Sequence, residues 1–220
     1  MMYFNLHTHR FSNDPEVLEL VNQYPDEFDA SIPQFSVGIH PWRIVPERLE
    51  QDFEVIEVKL SDNKCLAVGE CGLDKRIETP MAEQIPVFER QLQLAEKHQK
   101  PVVIHCVAAY QETIDIKKKL SISVPMIIHG FSKNTQVAQS LLDNGFYLSF
   151  GKYLLRNPEL ESVFQSVPND KFFLETDMID ETIRDVYEIA AKYKGISLDA
   201  LQEITSENYR TVFKLKLSSH

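Results

Sequence analysis

Short apolar runs that stop abruptly at one metal-ligand type of residue constrain this chain more than any other feature. CLAVGE ends at Glu70, PVVIHC carries His105 and PMIIHG carries His129. Compact apolar runs of this kind suit strands covered on both faces, and here they alternate with longer segments of helical period. That alternation predicts repeated βα units and a parallel sheet. Strands are expected at Tyr3–His7, Phe35–His40, Leu66–Glu70, Val102–Cys106, Pro125–His129, Phe146–Gly151 and Phe172–Glu175, with a weaker one beginning at Val17.

Helix signals fall between these strands. Thr79 and Pro80 are read as N-cap and first-turn residues, followed by Ile85, Phe88, Leu92 and Ala95 on one apolar face. Ser132 is read as the cap of a helix ending at Gly145, Asn157 with Pro158 opens another, a further one stops near Gly195, and Ser197 caps a C-terminal helix. Eight strands with helices between most of them predict a (β/α)8 TIM barrel. No GxGxxG or GxxxxGK[ST] loop follows any strand, which disfavours an open nucleotide-binding sheet. Since about 200–250 residues suffice for such a barrel, residues 1–220 are expected to form one domain.

In a barrel, functional residues sit at the C-terminal ends of strands. His7, His9, His40, His105 and His129 fall at or just after such ends, as do Glu70 and Asp177. His7 and His9 are two apart, so extended backbone projects both to one side. Singly each residue has a bland reading, such as a capped or hydrogen-bonded structural histidine. Together they indicate a metal site at one rim. Four imidazoles, His7, His9, His105 and His129, with two carboxylates exceed the three protein ligands usual for a mononuclear catalytic zinc. Two ions joined by a bridging carboxylate are therefore expected, in the arrangement that clamps the oxygens of a phosphoryl displacement. Nitrogen and oxygen ligands without thiolate suit zinc, manganese, nickel or iron; magnesium, which favours oxygen, stays among the candidates.

Charge bears on the substrate. With 23 Lys+Arg against 33 Asp+Glu the net charge is −10, so a general positive field for nucleic acid is lacking and an anionic substrate needs a locally positive site. Lys75, Arg76, Lys133, Lys152 and Arg156 follow strand ends and are candidates for that site, against ordinary surface charge as the alternative. Three cysteines without CxxC spacing suggest neither disulfides nor structural zinc. Neither a signal segment nor a membrane span is legible, so a cytoplasmic protein, with a monomer as the default state, is expected.

The ordered motifs HTH (His7–His9), VGIHPW (Val37–Trp42), VGECGLD (Val68–Asp74), VVIHC (Val102–Cys106), IHGFS (Ile128–Ser132), LETD (Leu174–Asp177) and SENYRTVF (Ser206–Phe213) resemble the TatD family of metal-dependent deoxyribonucleases. The resemblance implies a barrel with a dinuclear site in which His7, His9 and Asp177 hold one ion, His105 and His129 the other, and Glu70 bridges. It implies metal-activated hydrolysis of DNA phosphodiesters from the 3′ end, with Asp177 accepting the proton of the attacking water. His40 is read as a substrate or phosphate contact, or equally as a structural residue behind the ligands. Alternatives are hydrolysis of a small ester, lactone or amide, and a non-catalytic metal-binding barrel.

Several positions depart from the family pattern. Asn5 stands where the family usually has Asp, HCVAAY lacks a customary arginine, and ETDMID lacks a proline. Only 28 residues lie between His9 and Gly38, so the first βα units are trimmed. Cys106 is expected to face away from the site, His98 to lie at the surface, and Trp42 to pack beneath the rim more readily than to stack on a base.

Overall fold

The structure is a computed structural model describing residues 2–213. Eight parallel strands follow one another round one sheet in chain order: β1 Tyr3–Thr8, β2 Val17–Gln23, β3 Phe35–Val37, β4 Cys65–Asp74, β5 Val102–Val107, β6 Met126–Ile128, β7 Phe146–Phe150 and β8 Phe172–Leu174. The helices are α1 Leu49–Leu60, α2 Met81–His98, α3 Tyr110–Lys119, α4 Thr135–Asp143, α5 Lys152–Arg156, α6 Leu160–Ser166, α7 Ile183–Lys194 and α8 Leu198–Phe213. The expected barrel is present, and so is the trimming. Residues 9–16 and 24–34 connect the first three strands with no α-helix, only a 3-10 turn at Pro25–Glu27.

The ring closes through the residues just past β8. Asp177 N–H donates to the His7 carbonyl at 2.9 Å, and His9 N–H donates to the Asp177 carbonyl at 3.3 Å. Asn5 strengthens this seam: its amide donates to Thr176 Oγ1 at 2.9 Å and its carbonyl oxygen accepts from Thr176 N–H at 3.0 Å. Lower down, the Tyr187 hydroxyl of α7 accepts from Phe4 N–H and donates to the Phe4 carbonyl, both at 3.1 Å, doing for β1 what a ladder partner would do. Inside the barrel, Leu6, Leu20, Ala67, Val103, Ile127 and Phe173 form a floor that Tyr209, Val212 and Phe213 of α8 cover from below. The opposite, C-terminal face is left for the site.

Two β-bulges aim residues at that face. Val68 pairs with Val102 but Cys71 with Ile104, so β4 spends one residue more than β5 across Gly69–Glu70. In β1, Asn5 pairs with Glu19 and Thr8 with Val21, so the extra residue falls at Leu6–His7. A bulge breaks strict alternation and re-aims a side chain. Glu70 therefore lies inside β4, which runs on to Asp74, and does not end its strand as the apolar run suggested. Continuation past Glu70 needs glycine on both sides: a Cβ at Gly69 (φ +140°) would sit 2.5 Å from the Val103 carbonyl, and one at Gly72 (φ +148°) 2.0 Å from that of His105.

Helix starts differ locally from the sequence reading. Asn134, not Ser132, caps α4, accepting from Val137 N–H at 3.1 Å. Thr79 contributes only its carbonyl, to Gln84 Nε2, and α2 begins at Met81 with no side-chain cap. Asn157 turns the chain by accepting from Glu159 N–H, with α6 beginning at Leu160. Gly195 does terminate α7 in the left-handed conformation, and Ser197 Oγ accepts from Ala200 N–H at the start of α8. His98 is half-buried at the end of α2, and His220 lies outside the described residues. No helix among the described residues is long and apolar enough to cross a membrane.

Replacing Tyr187 by Phe leaves the Phe4 N–H and C=O unpaired in the interior. The expected loss is roughly 1–3 kcal/mol of unfolding free energy, read from the urea midpoint with an unchanged m-value.

Candidate metal centre

Glu70 lies at the middle of the C-terminal face, and the bulge points its two carboxylate oxygens in different directions. Oε2 is 3.4 Å from His7 Nε2 and 3.6 Å from His9 Nε2. Asp177 Oδ1 completes that group, 3.8 Å from His7 Nε2 and 3.5 Å from His9 Nε2. Oε1 is 2.7 Å from His129 Nε2, 3.1 Å from His105 Nδ1 and 3.3 Å from His40 Nε2. All the ligand-type residues expected from sequence are thus brought together, and His40 joins them. It is only 6% exposed, and its Nδ1 accepts from Trp42 N–H at the proline turn Pro41–Arg43.

The first group has a chemistry that hydrogen bonding does not explain. Both ring nitrogens of His7 are buried and have no hydrogen-bond partner. Nitrogen and oxygen atoms at about 2.1 Å from a shared tetrahedral ion stand about 3.4 Å apart, and the 3.4–3.8 Å edges of this group are of that size. The donor set therefore fits a divalent ion. Three ligand groupings are geometrically available: His7 with His9 and Asp177, His7 with Glu70 and His129, and His40 with Glu70 and His105.

Two carboxylates that the sequence reading did not single out stand behind the histidines. Glu175, fully buried, accepts from Gly130 N–H at 2.8 Å and faces His129 Nδ1 at 3.3 Å. Asp74 faces His105 Nε2 at 3.1 Å. A carboxylate on the outer nitrogen sets tautomer and ring orientation, leaving the other nitrogen directed at the centre. Their signal was present in LETD and VGECGLD, as acids two residues from Asp177 and four from Glu70, but the bulge in β4 hides which face Asp74 takes.

Electrostatics follow from this crowding. Burial by itself would raise the Glu70 carboxyl, yet the His129 charge and the hydrogen bonds from His105, His129 and His40 hold it well below its usual range. Burial would lower His129, and the charges of Glu70 and Glu175 overcome it, raising the imidazole well above 6.5. His40 is lowered by burial, which outweighs Glu70. Asp74 and Glu175 are both lowered despite burial, Asp74 through Arg76 N–H, His105 and Trp42, and Glu175 through His129.

The rim beyond the cluster sorts the remaining expectations. Trp42 does not pack beneath the rim: it is 66% exposed, held at one end by its indole N–H donating to Asp74 Oδ2 at 2.9 Å. The turn after His40 carries it outward over the site. Of the five candidate cations, Lys75 and Arg156 are engaged by Glu112 and Glu181. Arg76 and Lys133 line a cavity beside His105 and His129. Cys106 has its Sγ 3.5 Å from Thr113 Oγ1, and burial pushes its thiol up to about 11, which disfavours a thiolate.

An eight-stranded parallel barrel with a buried histidine–carboxylate cluster at the strand C-termini defines a barrel of the metal-dependent hydrolase class. The sequence matches the family described as TatD related DNase over residues 3–214, and the chain belongs to that family. The uncharacterized metal-dependent hydrolase YcfH of Escherichia coli K12 is 29% identical over 202 residues, spanning 84% of this chain and 75% of that protein. The 3′-5′ ssDNA/RNA exonuclease TatD of Salmonella typhimurium is 26% identical over 228 residues, spanning 91% and 83%. Among solved structures, the TatD homolog YJJV of E. coli K12 superposes with a TM-score of 0.83 at 20% identity, over 97% of this chain and 98% of that one, which supports the fold.

The two shifted groups make metal-free stability pH-dependent in opposite senses. The contribution of His129 is full below 6.5 and is lost as pH rises through its raised value; that of Glu70 is present above 4.5 and is lost as pH falls through its lowered value. With chelator present, the urea midpoint should decline on the alkaline side of the His129 titration, and Glu70→Gln should flatten that decline.

Proposed function

We propose that this protein hydrolyses DNA phosphodiester bonds at a two-ion centre, working from the 3′ end of a single strand. The observation that carries the proposal is the divided aim of Glu70, one oxygen toward His7 and His9 and the other toward His40, His105 and His129. His7, His9 and Asp177 would hold one ion, His105 and His129 the other, and Glu70 would bridge. In this reading His40 completes the second group, since its Nε2 faces Glu70 and its ring is buried. Two such ions supply Lewis-acid stabilisation of the phosphoryl oxygens and lower the pKa of water.

The protein's own residues supply the rest. Asp177 has its side chain one-third exposed at the mouth of the cluster, while Glu70 is buried, so Asp177 is the carboxylate that meets the attacking water and accepts its proton. Its left-handed backbone, at φ 55°, turns the carboxylate inward from the seam it closes. Glu175 and Asp74 keep His129 and His105 oriented. Support for a nucleic-acid substrate comes from the relative named as a 3′-5′ ssDNA/RNA exonuclease and from the cations beside the site.

A 5′-labelled single strand should shorten in steps from its 3′ end when the purified protein is given manganese, zinc or magnesium, and chelator should stop this. Asp177→Asn should reduce kcat by at least about 100-fold. Elemental analysis should return two ions per chain. A protein loaded with two ions that leaves every phosphodiester intact but opens a lactone or ester would overturn the assignment. Separately, Glu175→Gln should weaken metal affinity about 10- to 100-fold in a chelator competition, with unchanged circular dichroism.

A further inference from the structure

Beside His105 and His129 a cavity of about 300 Å³ opens to solvent, and its walls include Trp42, Tyr110, Tyr153, Arg76 and Lys133. That size is at the lower end of what encloses a small organic ligand. Trp42 meets His40 and His105 in T-shaped contacts, at interplanar angles of 88° and 74°, so neither imidazole stacks face to face on the indole. The bond to Asp74 fixes the indole while leaving 66% of the residue exposed, an arrangement that wastes apolar surface unless something covers it. Tyr153 is likewise 43% exposed in the same cavity.

The charges point the same way. Among the described residues Arg76 and Lys133 have no carboxylate within ion-pair distance, although their neighbours Lys75 and Arg156 do. On the other side of the cluster, a cavity of about 500 Å³ next to His9 is lined by Glu27 and Asp29 and by no lysine or arginine; the nearby Arg43 is already engaged by Asp26 and Glu27. A polyanion leaving the ion centre is therefore attracted toward Trp42 and not toward Tyr24.

We infer that the Trp42 cavity takes one unpaired nucleotide of the substrate strand adjoining the cleaved linkage, its base against the indole and its outer phosphate against Arg76 and Lys133. This rests on the phosphodiesterase reading above and adds to it the residues that hold the strand beside the cleaved linkage and a requirement for a second phosphate. A base held in a duplex cannot present its face to Trp42, and a substrate lacking the outer phosphate forfeits both cations.

Trp42 is the only tryptophan in the chain, so intrinsic fluorescence reports the cavity directly. Metal-loaded protein titrated with oligo(dT) carrying cleavage-resistant phosphorothioate linkages should show saturable quenching, and a blunt duplex should not. In the variant Arg76→Gln with Lys133→Gln, affinity should fall at least about 10-fold, and the slope of log affinity against log salt should shrink by about 0.7 to 1.4, the size of one or two single-strand phosphate contacts. By anisotropy of labelled oligo(dT), Trp42→Leu should bind about 10-fold more weakly while Trp42→Phe, which stacks but cannot donate to Asp74, retains most of the affinity. Equal quenching by duplex, an unchanged salt slope, or Phe as damaging as Leu would overturn the inference. Hydrolysis of bis(4-nitrophenyl) phosphate by the wild type alongside such results would leave the phosphodiesterase reading standing; no hydrolysis of any diester would remove both.

Discussion

Everything at the C-terminal face depends on one buried carboxylate. A charge as fully removed from water as that of Glu70 is tolerable only when opposite charge and hydrogen-bond donors surround it, and here His129, His105 and His40 supply them at Oε1. The local backbone is shaped around this demand. Gly69 and Gly72 let β4 run against β5 on both sides of the bulge, and the Asn22 side chain from β2 accepts the Glu70 N–H at 2.5 Å. The carboxylate is thus held by the sheet itself, before any ion is considered.

The same economy appears at the seam. Asp177 pairs its backbone with His7 and His9, closing the ring, while its side chain joins those two histidines in the cluster. Barrel closure and assembly of the site are one event, because a gap between β8 and β1 would separate Asp177 from its partners. Asn5 contributes to the seam through Thr176 and not to the cluster. The polar cavity beside His9 lies against the short connections of the first strands, and with Arg76 and Lys133 on the other side of the cluster it gives the face a direction.

Much of this was legible in the residues. Apolar runs ending at Glu70, His105 and His129 could satisfy their composition only as buried parallel strands, and parallel order places strand ends on one face. Hence the barrel, and the convergence of these side chains on one face, followed from pattern. Less accessible were the residues whose role depends on a face. Asp74 lies four residues past Glu70, but the extra residue of the bulge upsets the alternation that would assign its face; Glu175 follows the end of β8 at Leu174, where strand alternation no longer assigns a face. Ser132 and Thr79 looked like caps because their types favour caps, whereas Asn134 and a bare Pro80 take those places in the folded chain.

By itself the sequence determined the strand count, the parallel order, the short first connections and which side chains converge, since these depend on hydrophobic period and on the reach of the backbone between neighbours. Only the tertiary structure decided how Glu70 divides its oxygens, that His40 belongs among the imidazoles, that Trp42 stands in solvent and which cations are free. Those outcomes turn on bulges, a proline turn and ion pairs between residues distant in the chain, and no local pattern encodes a distance between two loops that meet only when the barrel closes.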